Sequence, residues 1–350
     1  MRSTRKPALV TGGCGFVGRH MTRRLLHDDI ELWLVDDCST GQHPDTWLPG
    51  DLQRREVAPG VIDYTGDHHV VFVQGDARDF FSGRIDLGPL VEPAFGDAFH
   101  YAAVIGGRAT IDGNPMAVAV DLALDALCFN WAVRARPDRL LYASSSAAYP
   151  VDLQGEGGAV ALKETDIEFG GRLGQPDMTY GWSKLTGEYL ARIAHEHYGL
   201  HTACVRPFSG YGEEQDLSYP VPSIALRAAR GDNPITVWGS GLQGRDFVHI
   251  DDCVEAMLRI LDRVSDGSGV NIGSGKLTNF LEVAGLFARL AGYEATVTPL
   301  EDKPVGVHSR YANIDHMTSL LDWRPEISLE EGFGRVLHVA RDRLAAGLTS

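Results

Sequence analysis

Ala8-Leu9-Val10-Thr11-Gly12-Gly13-Cys14-Gly15-Phe16-Val17-Gly18 is the stretch that decides the fold. A short apolar run enters a turn with glycines at 12, 15 and 18, and an apolar, helix-compatible segment follows as far as His27. A strand feeding a glycine turn and then a helix N-terminus is a cradle for phosphate. Glycine lets the backbone approach closely, and the first helical N–H groups, those of Phe16, Val17 and Gly18, point at the anion. A glycine triplet alone is weak evidence; its position directly after an apolar run near the N-terminus gives it weight.

The next strand-like run, Glu31–Val35, ends at Asp36, 18 residues beyond Gly18. A carboxylate there accepts hydrogen bonds from an adenine-ribose diol and repels a 2′-phosphate, which favours NAD over NADP. Read alone, Asp36 and Asp37 are equally well solvated turn residues; the glycine loop upstream decides for the ribose. Asp76 follows the strand Val70–Val73, at an edge where an adenine ring could rest. Ala102 and Ala103 stand at the end of the strand Ala98–Ala102, where small side chains let a cofactor lie close. Cys14 reads as a small filler inside the loop.

Strand-like and helix-like pieces continue to alternate. Pro115–Ala135 reads as one long helix, Leu140–Ala143 as a strand, Tyr180–Tyr198 as a helix, and Thr202–Val205 and Val270–Ile272 as strands. Residues 38–67 are rich in turn formers, show no clear period, and read as loop with short structure. The pattern predicts an α/β fold: a Rossmann-type doubly wound parallel sheet with a smaller, interleaved C-terminal α/β substrate domain. The expected division is 1–205 for dinucleotide binding and 206–350 for substrate, with strands from 246–275 returning to the first part.

With 350 residues the chain can bury a large core. Its net charge of -15 argues against a nucleic-acid or anionic-membrane surface. The five cysteines are odd in number and scattered, which reads as reduced thiols in the cytoplasm. No apolar run of about 18 residues is evident, so no membrane span is expected. Thirteen histidines show no ligand spacing, and no metal site is expected.

The chemistry lies in two further stretches. Tyr142-Ala143-Ser144-Ser145-Ser146-Ala147-Ala148-Tyr149-Pro150 ends a strand, and Tyr180-Gly181-Trp182-Ser183-Lys184 opens a helix. Tyr180 and Lys184 are four apart and face one side. An ammonium beside a phenol stabilises the phenolate, giving a general base for an alcohol proton while hydride leaves the same carbon. A serine of the strand end could share that hydrogen bond.

Taken together, Thr11–Gly18, Asp36, Ser144–Tyr149 and Tyr180–Lys184 resemble the extended short-chain dehydrogenase/reductases that act on nucleotide-diphosphate sugars. Arg206-Pro207-Phe208, the run Trp238–Asp252, Asn271-Ile272-Gly273 and Asp322-Trp323-Arg324-Pro325 extend the resemblance over nearly the whole chain. Ala102-Ala103-Val104-Ile105-Gly106-Gly107 looks most like GDP-mannose 3,5-epimerases. The resemblance implies Tyr180 as base, Lys184 on the nicotinamide ribose and Ser145 as hydroxyl partner. It also implies Arg245 and Arg310 on the substrate diphosphate, with Ser146, Gly107 and Ser209 beside the sugar. A homodimer through the two long helices is implied as well.

Departures from the family pattern narrow the reaction. Relatives that dehydrate or decarboxylate carry carboxylates after the catalytic Ser/Thr, and the 3,5-epimerases carry a Cys; here Ser146-Ala147 follow. Glu213–Tyr219 contains no lysine, although the 3,5-epimerases use one there. Asp121 stands where the family has Asn, and Ser209 replaces the Asn after Arg-Pro-Phe. What remains fits C4 epimerisation through a 4-keto sugar with retained NAD. The alternatives are a 3,5-epimerase, a 4-ketoreductase or dehydratase, and a non-catalytic NAD-sensing protein.

Overall fold

A computed structural model describes residues 5–104, 108–156 and 158–348. Nine strands form one sheet, in the order Asp266–Ile272, Thr202–Pro207, Arg139–Ala143, Asp97–His100, Ala8–Thr11, Leu32–Asp36, His69–Gln74, Val61–Thr65 and Gln53–Ala58. The first seven are parallel. From Ala8–Thr11 the chain steps outward through Leu32–Asp36 to His69–Gln74, then returns to the other side at Asp97–His100. The strand order therefore reverses beside Ala8–Thr11, and a crevice opens at its C-terminal end, where Gly12 begins.

Alternation along these strands sorts their side chains into two layers. Val10, Leu34, Phe72, Phe99 and Leu141 face Met21, Leu25, Val254 and Met257 of the helices Phe16–His27 and Ile250–Leu261. Leu9, Trp33, Val35, Val71 and Leu140 face Phe129, Trp131 and Ala191 of the helices Asp121–Ala135 and Met178–Tyr198. A second core forms where Pro220–Arg230, Phe280–Ala291 and Leu329–Ala345 pack around the parallel pair Ile235–Trp238 and Val297–Leu300. Phe287 and Phe333 stack at its centre, 4.4 Å apart.

Two stretches depart from the sequence expectation. The short structure within residues 38–67 is more than expected: Gln53–Ala58 and Val61–Thr65 form an antiparallel hairpin that extends the sheet edge. The Pro59-Gly60 turn, with Gly60 at φ +74°, was its signal. The predicted helix Pro115–Ala135 is broken into Pro115–Val118 and Asp121–Ala135. By length and composition alone this stretch is apolar enough to cross a membrane, contrary to the expectation that no such run exists. In the fold, Leu124, Cys128, Phe129, Trp131 and Ala132 of its second part are buried in the core.

Candidate active site

The cradle is a backbone construction. Gly12 has φ +70°, and a Cβ there would stand 2.6 Å from the Ala102 backbone nitrogen. A Cβ on Gly18 would stand 2.1 Å from the Gly12 oxygen. Gly15 is the N-cap of the helix Phe16–His27 and caps it with no side chain, so the first-turn amides are left for a ligand. Asp36 accepts from the amides of Cys14 (2.9 Å) and Cys38 (2.7 Å). It thus braces the loop from below; burial raises its pKa against the pull of those two amides. Ala102 and Ala103 follow the strand Asp97–His100, and the Ala102 backbone lies against Gly12.

Asp76 has a task the sequence did not show. It caps the short helix Ala77–Phe81 and is ion-paired with Arg78, whose guanidinium lowers the Asp76 pKa. Cys14, Asp36 and Cys38 bring ligand atoms within 4.8 Å of one another, the one such group among the described residues. The Asp36 oxygens there are engaged by amides, and burial pushes both thiols up.

Ser145 and Tyr180 line a cavity of about 470 Å³, and Lys184 follows Tyr180 by one helical turn. Ser145 stands at the strand end, where its hydroxyl accepts from the Ala147 amide at 3.1 Å. Tyr180 lies in the first turn of Met178–Tyr198. Lys184 is 4% exposed, and its Nζ stands 5.9 Å from the Tyr180 ring centre and 5.3 Å from that of Tyr142. Burial works against the ammonium, but Asp125, Tyr180 and Asp121 outweigh it and raise the Lys184 pKa. Lys184 therefore stays charged beside Tyr180.

Two buried networks fix these groups. Thr11 Oγ1 meets His100 Nδ1 at 2.7 Å, His100 Nε2 meets Asp125 at 3.1 Å, and Tyr142 donates to Asp125 at 2.5 Å. This ties the cradle strand to the floor under Lys184. On the other side Ser144 donates to Glu188, and Arg206 donates to Glu188 (2.6 Å) and to the Tyr149 hydroxyl (2.9 Å). The serine loop is thereby locked to the helix that carries Tyr180. Breaking such a buried pair costs about 3–5 kcal/mol.

In the wall of the same cavity, Arg245 lies directly opposite Arg310 in the parallel pair of Gly244–Arg245 with Ser309–Ala312. Neighbouring positions across a pair point to one face, and both arginines line the cavity. Arg245 donates to the carbonyls of Gly244 and Val305, and Arg310 to Gln154 and Asp177. Ser146 and Ser209 line the same cavity; Gly107 lies outside the described residues. The sequence did not single out Asp177 or Tyr219, which also line it. Asp177 reads as a helix cap, and Tyr219 carried no motif. Burial first, then Tyr180, pushes the Tyr219 hydroxyl up to about 12.

A dinucleotide cradle at the sheet's switch point, opening beside Ser145, Tyr180 and Lys184, defines an extended short-chain dehydrogenase/reductase. The chain belongs to the NAD dependent epimerase/dehydratase family, whose model matches residues 8–273. It is 28% identical over 337 residues to a putative UDP-glucose 4-epimerase of Methanocaldococcus jannaschii, covering 94% of this chain and 97% of the relative. It is 27% identical to the GDP-mannose 3,5-epimerase of Arabidopsis thaliana, covering 92% and 79%. Its fold matches that of a UDP-glucose 4-epimerase from Thermotoga maritima with UDP-glucose, with TM-score 0.77, 23% identity and coverage of 97% and 99%. NAD is the cofactor of this family, and the first-turn amides of Phe16–His27, left without a side-chain cap, fit the charge of its pyrophosphate.

Proposed function

We propose that this protein is a nucleotide-sugar epimerase that inverts C4 through a 4-keto intermediate while retaining its NAD. The observation that carries the reading is the cavity itself. Ser145 and Tyr180 line it together with the Arg245–Arg310 pair, Lys184 stands beside Tyr180, and Ala147 occupies the position where relatives carry an acid, base or thiol.

In this reading Gly12, Gly15, Phe16, Val17 and Gly18 hold the pyrophosphate, and Asp36 takes the adenine ribose. Asp76, Ala102 and Ala103 border the adenosine, and Lys184 binds the nicotinamide ribose. Bound NAD supplies the place where hydride is stored within one turnover. Arg245 and Arg310 clamp the diphosphate with charge-assisted hydrogen bonds, while Ser146, Gly107 and Ser209 border the sugar. Tyr180 takes the C4 hydroxyl proton, and Ser145 donates to the same oxygen as it becomes a carbonyl. The ketone then turns in the cavity, and Tyr180 returns its proton to the opposite configuration.

To test this, UDP-glucose, GDP-mannose and dTDP-glucose are incubated in heavy water without added cofactor and followed by NMR. The expected product is inverted at C4 with no deuterium on C4. Product formed only with added reduced cofactor would instead make the enzyme a reductase.

Two further parts belong to this proposal. Trp182, Tyr189, Met116 and Leu122 are exposed on the outer faces of the two helical segments, which supports a homodimer through them; a monomer by light scattering would refute it. All five cysteines are free thiols, which supports a cytoplasmic location; disulfide-linked peptides from the native protein would count against it.

A further inference from the structure

Position 147 offers no acid or base, but the structure fills that corner from another element. The Asp177 amide donates to the Ala147 carbonyl at 3.0 Å. The packing is tight: a Cβ on Gly181 would stand 2.3 Å from the same oxygen. Asp177 lines the cavity with Ser145, Ala147 and Tyr180 although it is only 7% exposed. It stands three residues before Tyr180, and both residues line the same cavity.

Its side chain also declines the role its position offers. Asp is among the best N-cap residues because its carboxylate satisfies first-turn amides, yet Asp177, the N-cap of Met178–Tyr198, makes no such bond. The carboxylate instead pairs with Arg310 at 2.9 Å. The next residue, Met178, has φ +56°, a left-handed conformation that a bulky side chain seldom adopts. A forgone cap and a strained backbone together turn this carboxylate toward the cavity. Arg310 is shared between Asp177 and the proposed diphosphate site, which keeps the carboxylate within one guanidinium of the substrate.

We propose that Asp177 is a catalytic residue that moves a proton at the carbon next to the ketone, C3 or C5, and so adds enolisation to the C4 cycle; this rests on the 4-keto reading above. The C–H bond breaks and its proton forms an O–H bond on Asp177. The electron pair of that bond becomes the C=C of an enolate, and the carbonyl π pair moves to O4. Tyr180, carrying the proton it took from the C4 hydroxyl, and Ser145 donate to that oxyanion. Return of the proton from Asp177 restores the centre; protonation by water on the opposite face inverts it, and the hydroxide so formed takes the proton from Asp177, regenerating water and the carboxylate.

The test uses the NAD-loaded protein in heavy water with UDP-glucose, GDP-mannose and dTDP-glucose, comparing wild type with Asp177→Asn. Wild type should place deuterium on C3 or C5. Asp177→Asn should lose that label by about 100-fold or more relative to its own rate of C4 turnover, with its NAD content unchanged. Inversion at C4 with no label at C3 or C5 in wild type overturns the proposal and leaves the C4 reading standing. Label that persists in Asp177→Asn overturns it too. Absence of turnover on all three sugars overturns the reading beneath it. Should Asp177→Asn lose its NAD, Asp177→Glu decides, since it keeps the charge for Arg310: a ratio of labelling to C4 turnover changed about tenfold supports the proposal, and an unchanged ratio defeats it.

Discussion

The glycine cradle and the cavity beside it are held together in different ways. The cradle is backbone against backbone: Gly12 against Ala102, and Gly18 against the Gly12 carbonyl. The cavity is side chain against side chain, its walls drawn from the serine loop, the start of Met178–Tyr198, the helix Pro220–Arg230 and the strands bearing Arg245 and Arg310. A backbone contact leaves no room for a methyl group and has no rotamer to yield. A side-chain wall can be exchanged piece by piece. One region should therefore fail completely on a small change, and the other by degrees.

The largest effect belongs to the cradle. Gly18→Ala puts a Cβ 2.1 Å from the Gly12 oxygen, closer than any contact can be, so the loop must open. The variant should purify without NAD, measured by the cofactor released on denaturation, while still binding UDP or GDP in the cavity. A fully loaded Gly18→Ala protein would end the distinction between the two regions. Next comes Tyr180→Phe, which removes one oxygen and leaves the cradle intact. NAD content should be unchanged, and turnover should fall about 10²–10⁴-fold; turnover close to wild type would remove Tyr180 from its role.

Arg245→Ala is the graded case. Losing one charge-assisted hydrogen bond costs about 1.5–3 kcal/mol, or about 10- to 100-fold in KM for the nucleotide sugar, with NAD retained. Loss of NAD in this variant would mean that the two regions are not separable.

The same contrast explains what the sequence could show. The cradle is local: three glycines, a strand before them and Asp36 after them lie within one βαβ unit, so spacing and context could be read together. Ser145, Tyr180 and Lys184 were legible because two short motifs carried them. Asp177 was not, since an Asp before a helix means a cap in nearly every sequence; its partner Arg310 lies 133 residues away. The hairpin Gln53–Ala58 with Val61–Thr65 was missed because it sits at the sheet edge, where the outer strand is exposed along most of its length and shows no hydrophobic alternation. The break before Asp121 was hidden by an apolar composition that suits one continuous helix.

The smallest effect concerns that break. Asp121 is fully buried, accepts from the Val104 amide at 2.7 Å, and has a second carboxylate oxygen without a partner. Burial pushes its pKa up from 3.8 to about 6, against the opposing pull of Lys184 and the Val104 amide. The folded value lies above the unfolded one, so protonation favours the fold. The stability this group contributes is complete below about pH 4 and is lost as pH rises through about 6. A shift of two units is worth about 3 kcal/mol, and the loss of Asp121 as a partner of Lys184 takes back part of it. Asp121→Asn should therefore raise the thermal midpoint at about pH 8, by about 2 kcal/mol of stability, and leave it nearly unchanged at about pH 4. An equal change at both pH values would show that Asp121 acts through packing. A fall at the higher pH would show that its charge is needed to hold Lys184, and would place a charge pair, alongside the glycine backbone, among the things that support the cofactor region.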